Sequence, residues 1–150
     1  MVAALRPDDI NVALLVHVAG AMVLVGGLLA AAAAAIIGWR DEGPALRVLS
    51  YKTLLAVVLP AFVITRVAGE WVYVKENLDD QPDQVWVGIG FITTDLGGIL
   101  LLLALVLGGV GLYRTRRGGG GALLKTSGVI ATVLLAAYVI AIWAMGAKPT

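Results

Sequence analysis

The sequence predicts an all-α fold, a four-helix transmembrane bundle whose helices are antiparallel. Of its 150 residues, 60% are apolar and only 14% are charged, whereas soluble domains are about 45–50% apolar. The apolar residues form four long runs, and about 20 such residues suffice to cross a bilayer core. The polar connections between the runs are short. We therefore expect residues 1–150 to form a single transmembrane domain.

The first helix is predicted over residues 11–38 and contains the only histidine of the chain, His17. Acidic residues precede this helix, where a signal peptide would carry basic ones, which indicates a retained span. A histidine inside a membrane helix costs free energy, so we expect it to have a partner or a purpose.

The second helix is predicted over residues 52–75, after a connection whose Gly43-Pro44 pair breaks the helical pattern. Pro60 lies inside this helix and has no N–H to donate, so it leaves the carbonyl of Ala56 without its usual partner. The pattern predicts a packing bend at this point.

The third and fourth helices are predicted over residues 87–113 and 123–146, joined through a flexible run of four glycines. Small residues let helix backbones approach closely in lipid, where apolar contrast is missing. Glycines such as Gly98 and Gly109 therefore predict faces on which copies of the chain, or a larger membrane complex, could assemble.

The distribution of basic residues predicts the orientation. The first and third connections hold seven Lys and Arg residues, against three in the second connection and the two termini. The positive-inside rule then places both termini outside, in the cell (inner, cytoplasmic) membrane. Trp71, Trp86 and Trp143 fall near the outer interface, as interfacial aromatic residues should. The net charge of +1 gives no reason to expect a nucleic-acid partner, and we expect the lipid bilayer to be the main one.

Five polar residues fall at a similar depth and are called the polar layer: His17, Arg66, Glu70, Asp95 and Tyr138. At about 1.5 Å per residue, they lie roughly 6–12 Å below the outer ends of the four predicted helices. Each charge in mid-membrane costs about 2.5–3.5 kcal/mol, so the charged members should face one another. Arg66 and Glu70 are four residues apart and can pair on one helix face.

Several interpretations of the polar layer remain open from the sequence. It could be a structural ion-pair cluster, with His17 as a hydrogen-bonded neighbour. It could be a site for a divalent metal, with His17, Glu70 and Asp95 as ligands for Zn²⁺ or Cu²⁺, although Arg66 would compete for the carboxylates. It could bind an anionic ligand or haem, with Arg66 holding acidic groups and His17 as an axial ligand.

Three short motifs carry a family resemblance: HVAGAMVLVGG in the first helix, RVAG from Arg66, and the terminal AIWAMGAKP. The chain resembles the copper-resistance protein D superfamily and a related family of small integral membrane proteins of unknown function. The resemblance implies a four-helix membrane module whose relatives are linked to copper handling and, more distantly, to haem biosynthesis. The chain departs from that pattern in having no second histidine.

The residues thus favour a membrane protein, without a predicted catalytic residue, that binds a ligand, metal or partner through the polar layer. One alternative is a structural subunit of a homo-oligomer or larger complex. Another is a haem- or copper-linked membrane protein.

Overall fold

The computed structural model describes residues 11–40, 44–77 and 85–146, with the side chains of all but 85–87 and 145–146. These residues form four helices and no strand, which confirms the all-α bundle: α1 (Val12–Arg40), α2 (Pro44–Lys75), α3 (Val85–Thr115) and α4 (Gly121–Gly146). All four helices are long and apolar enough to cross a membrane. The chain is therefore a multi-pass membrane protein.

Parts of the sequence predictions lie outside the described residues. These parts are the acidic stretch of the second connection, both termini, Gly43, and the side chains of Trp86 and Met145.

The start of α2 differs from its prediction. The helix begins at Pro44 instead of residue 52, because proline at the first helical position needs no hydrogen-bond donor and its φ angle suits the helix. Pro44 therefore begins the second helix and is not a break before it. In the first turn of α2, Arg47 Nε donates to the carbonyl of Gly38 at 3.0 Å. This contact ties α2 to the end of α1.

The helical repeat of α2 changes immediately before Pro60. Residues Leu54–Val58 form a π-helical turn, and the Leu59 N–H donates to the carbonyl of Leu54, five residues back. Proline supplies no N–H, and a wider turn redistributes the hydrogen bonds around that missing donor. The predicted disturbance at Pro60 is thus a local change of helix type.

Close contacts at small residues confirm that the helices are antiparallel. Gly20 of α1 lies against Thr65 of α2, whereas Gly38, further along α1, lies against Leu46, nearer the start of α2. In the same way, Gly97 of α3 meets Tyr138, and Gly111 meets Leu124, both of α4. In both helix pairs, the residue numbers rise along one helix while those of the contacting residues fall along the other.

The core lies at the middle of the bundle and is built from leucine and small residues: Leu24, Leu28, Ala31, Leu54, Val58, Ala61, Leu101, Ala104, Ala131 and Leu134. Many large apolar side chains face outward instead, among them Met22, Val67, Ile99 and Val106. This arrangement suits a bundle surrounded by lipid, where the outer surface is as apolar as the interior.

The glycines expected on assembly faces lie between helices of the same chain. A Cβ atom at Gly98 would be 2.9 Å from the Phe62 ring, and one at Gly109 would be 3.2 Å from the Tyr51 hydroxyl. Both glycines therefore already serve packing within the bundle. Gly26 of α1 differs, since a Cβ there would meet nothing within 4 Å.

We expect Gly128→Ala to destabilise the bundle, because its new Cβ would lie 2.6 Å from the Cβ of Ala35 and neither atom can rotate away. Overpacking of this kind costs about 1–3 kcal/mol. The matched control is Gly26→Ala, which adds a methyl group in open space and should be neutral or slightly stabilising. Thermal unfolding in detergent measures both, and equal unfolding temperatures would contradict this α1–α4 contact.

Candidate ligand-binding cavity

A cavity of about 150 Å³ lies in the half of the bundle that contains the start of α1 and the end of α2. All four helices line it. Most of the wall is apolar, including Leu24, Val25, Val72 and Ile142. The polar side chains of the wall are His17, Thr65, Arg66, Tyr73, Thr93, Thr94 and Tyr138. Three of the five residues of the predicted polar layer therefore border one cavity, and Glu70 and Asp95 lie beside it.

The structure brings the three charged residues of the polar layer together. Arg66 Nη2 lies 2.8 Å from Glu70 Oε1 and 3.2 Å from Asp95 Oδ1. The first contact joins two residues one turn apart on α2, and the second joins α2 to α3. The Arg66, Glu70 and Asp95 side chains are 32%, 46% and 63% exposed. This ion triad therefore lies at the side of the bundle and leaves no unpaired cation.

Two aromatic residues beside the ion triad are absent from the predicted polar layer. The Arg66 guanidinium carbon lies 5.1 Å from the centre of the Phe91 ring, within the range of a cation–π contact. Phe91 also meets Tyr73 edge to face, with ring centres 5.2 Å apart. Helical spacing could have indicated both, because Tyr73 follows Arg66 by two turns and Phe91 precedes Asp95 by one.

His17 does not join the ion triad. Its Nδ1 lies 3.0 Å from the backbone carbonyl of Thr65. A carbonyl can only accept, so Nδ1 carries the proton in this contact. The ring can approach α2 because residue 69 is glycine, where a Cβ would lie 3.2 Å from His17 Cε1. Nε2 makes no hydrogen bond to any residue that the structure describes.

The predicted metal ligands are not assembled into a metal centre. Glu70 and Asp95 both contact Arg66, while His17 turns to the Thr65 carbonyl. Within residues 11–40, 44–77 and 85–146, no three His, Asp or Glu side chains are grouped so that they could hold a metal ion. His17 Nε2 could supply one ligand to a bound metal or haem iron, but the described residues add no second ligand.

Tyr138 of α4 brings a hydroxyl without a partner to the cavity wall. Its ring lines the cavity, and its Oη is buried with no hydrogen-bond partner among the described residues. The hydroxyl lies against Gly97 of α3, where a Cβ would be only 2.8 Å away. A buried hydroxyl without a partner costs about 1–3 kcal/mol. Such an atom indicates a site that a ligand or water can complete.

Two threonines of the wall are satisfied by their own helices. Thr65 Oγ1 donates to the carbonyl of Ala61, and Thr94 Oγ1 donates to the carbonyl of Gly90, both at 2.7 Å. Besides these two threonines and Arg66, the wall offers hydrogen bonding through His17 Nε2, the Tyr73 and Tyr138 hydroxyls and Thr93 Oγ1. Near the same end of the bundle, Asn11 Nδ2 donates to Glu76 Oε1 at 2.8 Å, which fastens the start of α1 to the end of α2.

The fold and the cavity define the class of this chain as a small four-helix membrane protein with a mostly apolar pocket between its helices. No family model matches the sequence, and no curated protein or solved structure is significantly similar to it. The resemblance to the copper-resistance protein D superfamily therefore stays a prediction.

The His17 contact predicts the tautomer of the imidazole. At alkaline pH, where an imidazole is neutral, we expect the proton on Nδ1 and a bare Nε2. Nitrogen NMR of ¹⁵N-histidine-labelled protein can measure this without assignment, because the chain has one histidine. A spectrum with the proton on Nε2 would contradict the contact with Thr65.

The ion triad predicts unequal effects of removing its members. Arg66→Ala leaves two carboxylates without their cation and should cost about 1–3 kcal/mol, below the range for fully buried pairs because the triad is partly exposed. Asp95→Asn leaves Arg66 paired with Glu70, so its cost should be about 0–1 kcal/mol. Thermal or denaturant unfolding of both variants measures the difference. An Asp95→Asn variant that is the less stable of the two would contradict the central position of Arg66.

Proposed function

We propose that this protein binds a small molecule in the cavity between its four helices. The observation that carries the proposal is a mostly apolar cavity bordered by His17 and Tyr138, whose Nε2 and Oη have no hydrogen-bond partner among the described residues. Ligand sites are typically apolar clefts with a few converging polar groups that orient the ligand. The geometry supports binding more than chemistry, since Arg66, the one charged side chain among the described residues of the wall, already contacts two carboxylates.

The polar layer then divides into two parts with different roles. The ion triad joins α2 to α3 and serves as a structural cluster. His17 and Tyr138 face the ligand. The interpretation as a structural ion-pair cluster therefore applies to Arg66, Glu70 and Asp95, but not to His17 and Tyr138.

We further propose that the cavity lies in the outer half of the cell membrane, with both termini outside. The basic residues support this orientation, because seven of them lie near the opposite end of the bundle: Arg40, Arg47, Lys52, Arg114, Arg116, Arg117 and Lys125. The positive-inside rule assigns such an end to the cytoplasm. Trp71 and Trp143 are exposed near the cavity end, as expected at the outer interface.

Filling the cavity tests the proposed function. Ala21 lines the cavity, so Ala21→Phe should occupy it. Ala19, on the same helix, is exposed, and Ala19→Phe is the matched control. The probes are dodecanol, dodecanoate and dodecylamine, which share one chain length and differ in charge.

We expect at least one probe to raise the unfolding temperature of the wild type and of Ala19→Phe by a few degrees, since a bound ligand stabilises the native state. The same probe should leave Ala21→Phe unchanged. Equal shifts in all three proteins would contradict binding in the cavity, and no shift in any of them would contradict the proposed function.

A further inference from the structure

We propose that the ligand is an uncharged amphiphile with a hydroxyl group, and that it reaches the cavity from the bilayer by passing between α2 and α3. This inference rests on the proposed function and adds the ligand class and its route.

The charges around the cavity favour an uncharged ligand. Arg66 is the one charged side chain among the described residues of the wall, and both Glu70 and Asp95 contact it. The triad already sets two carboxylates against one guanidinium, so a further anion would be repelled, and a cation would find no carboxylate on the described wall. Either ion would lose hydration without gaining a partner, which is costly in an apolar cavity.

His17 Nε2 and the Tyr138 hydroxyl together favour a hydroxyl group in the ligand. With its proton on Nδ1, neutral His17 presents a bare Nε2 that accepts a hydrogen bond. The Tyr138 hydroxyl can donate one or accept one. A ligand hydroxyl can donate to His17 and accept from Tyr138 at the same time, whereas a carbonyl can only accept. A small adjustment of the Tyr138 ring is needed to present this hydroxyl to a ligand, because its Oη is covered.

The contact between α2 and α3 is the weakest part of the wall and is called the seam. It consists of Phe62, Arg66 and Tyr73 on α2, which meet Gly98, Asp95 and Phe91 on α3. The part of α2 that follows the π-helical turn, Leu59–Lys75, packs closely along α1 but touches α3 only sparsely. Side chains, and not closely packed backbones, therefore close the seam. Rotation of Tyr73, Phe91 and Arg66 opens a path without separating α2 from α1.

The outer surface beside the seam is suited to lipid. Each of four apolar residues comes directly after a seam residue in the sequence. They are Val67 and Val74 on α2, and Ile92 and Leu96 on α3. One position rotates a helix surface by about 100°, and all four side chains are more than half exposed. Acyl chains of the bilayer can thus lie along both sides of the seam. A lipid-soluble molecule meets the seam directly, whereas a water-soluble one does not.

Cross-linking the seam tests the route. The chain has no cysteine, so Tyr73→Cys with Phe91→Cys supplies the only two thiols, which a short bifunctional methanethiosulfonate can join across the seam. The probe is a long-chain alcohol with a diazirine in its chain, added to vesicles that contain the protein. After illumination, mass spectrometry measures labelling of the peptides that carry Ala21 and Ala141, which line the cavity.

We expect the cross-link to abolish most of this labelling, and reduction of the same sample to restore it. The control is the same double variant treated with methyl methanethiosulfonate, which caps both thiols without joining them and should leave labelling unchanged. Full labelling through a cross-linked seam would overturn the route. Equal labelling by the matching diazirine carboxylate would overturn the ligand class.

The outcomes also separate this inference from the proposed function. If neither the alcohol nor the matching carboxylate labels a cavity residue in the wild type, the proposed function itself fails. If only the carboxylate labels the cavity, binding holds and the ligand class fails. If the alcohol labels the cavity equally with and without the cross-link, the proposed binding stands and only the route is wrong.

Asp95→Asn provides a second test that keeps both aromatic rings of the seam. Removing one ionic contact across the seam should speed labelling about two- to fivefold, the range expected from a partly exposed ion pair. Unchanged or slower labelling would overturn the role of the Arg66–Asp95 contact in closing the seam.

Discussion

The structure depends first on the need to neutralise Arg66 inside a membrane helix. A guanidinium at this depth is costly unless carboxylates accompany it. Glu70 supplies one from the next turn of α2, and Asp95 supplies the other from α3. The second contact ties α3 to the part of α2 that follows the π-helical turn, where the two helices otherwise meet only sparsely. The cavity lies behind this contact, so neutralising the cation and forming the cavity wall are one arrangement.

Small residues explain why the cavity forms on this side of the bundle. Gly20 and Gly69 let α1 approach α2 until His17 reaches a backbone carbonyl, and Gly97 brings α3 against Tyr138 of α4. Between the parts of α2 and α3 that border the cavity, large side chains meet instead: Tyr73 and Phe91 stand edge to face. Aromatic rings keep two helix backbones apart and leave room for a cavity beside them, whereas glycines let the backbones approach closely.

The four spans were predictable, because apolar run length and rise per residue determine them. The Arg66–Glu70 pair followed from helical spacing. The bond of His17 was not predictable, since its acceptor is a backbone carbonyl that no side-chain pattern marks. Gly98 and Gly109 were expected at contacts between copies of the chain, but they pack against Phe62 and Tyr51 of the same chain. A glycine pattern predicts a close helix contact but does not identify the helix that makes it. The early start of α2 was missed because a proline can begin a helix as well as interrupt one.

The separation of charge from hydrogen bonding gives the cavity its chemical character. The ion triad keeps the carboxylates at the side of the bundle, and Arg66 enters the wall already paired. The bond from His17 to Thr65 fixes the imidazole and leaves a single acceptor, while Tyr138 adds a single hydroxyl. A cavity with dipoles but no free charge discriminates against ions, because an ion would lose its hydration for contacts that cannot replace it. This arrangement supports the proposed uncharged ligand, because Glu70 and Asp95 contact Arg66 and do not line the cavity.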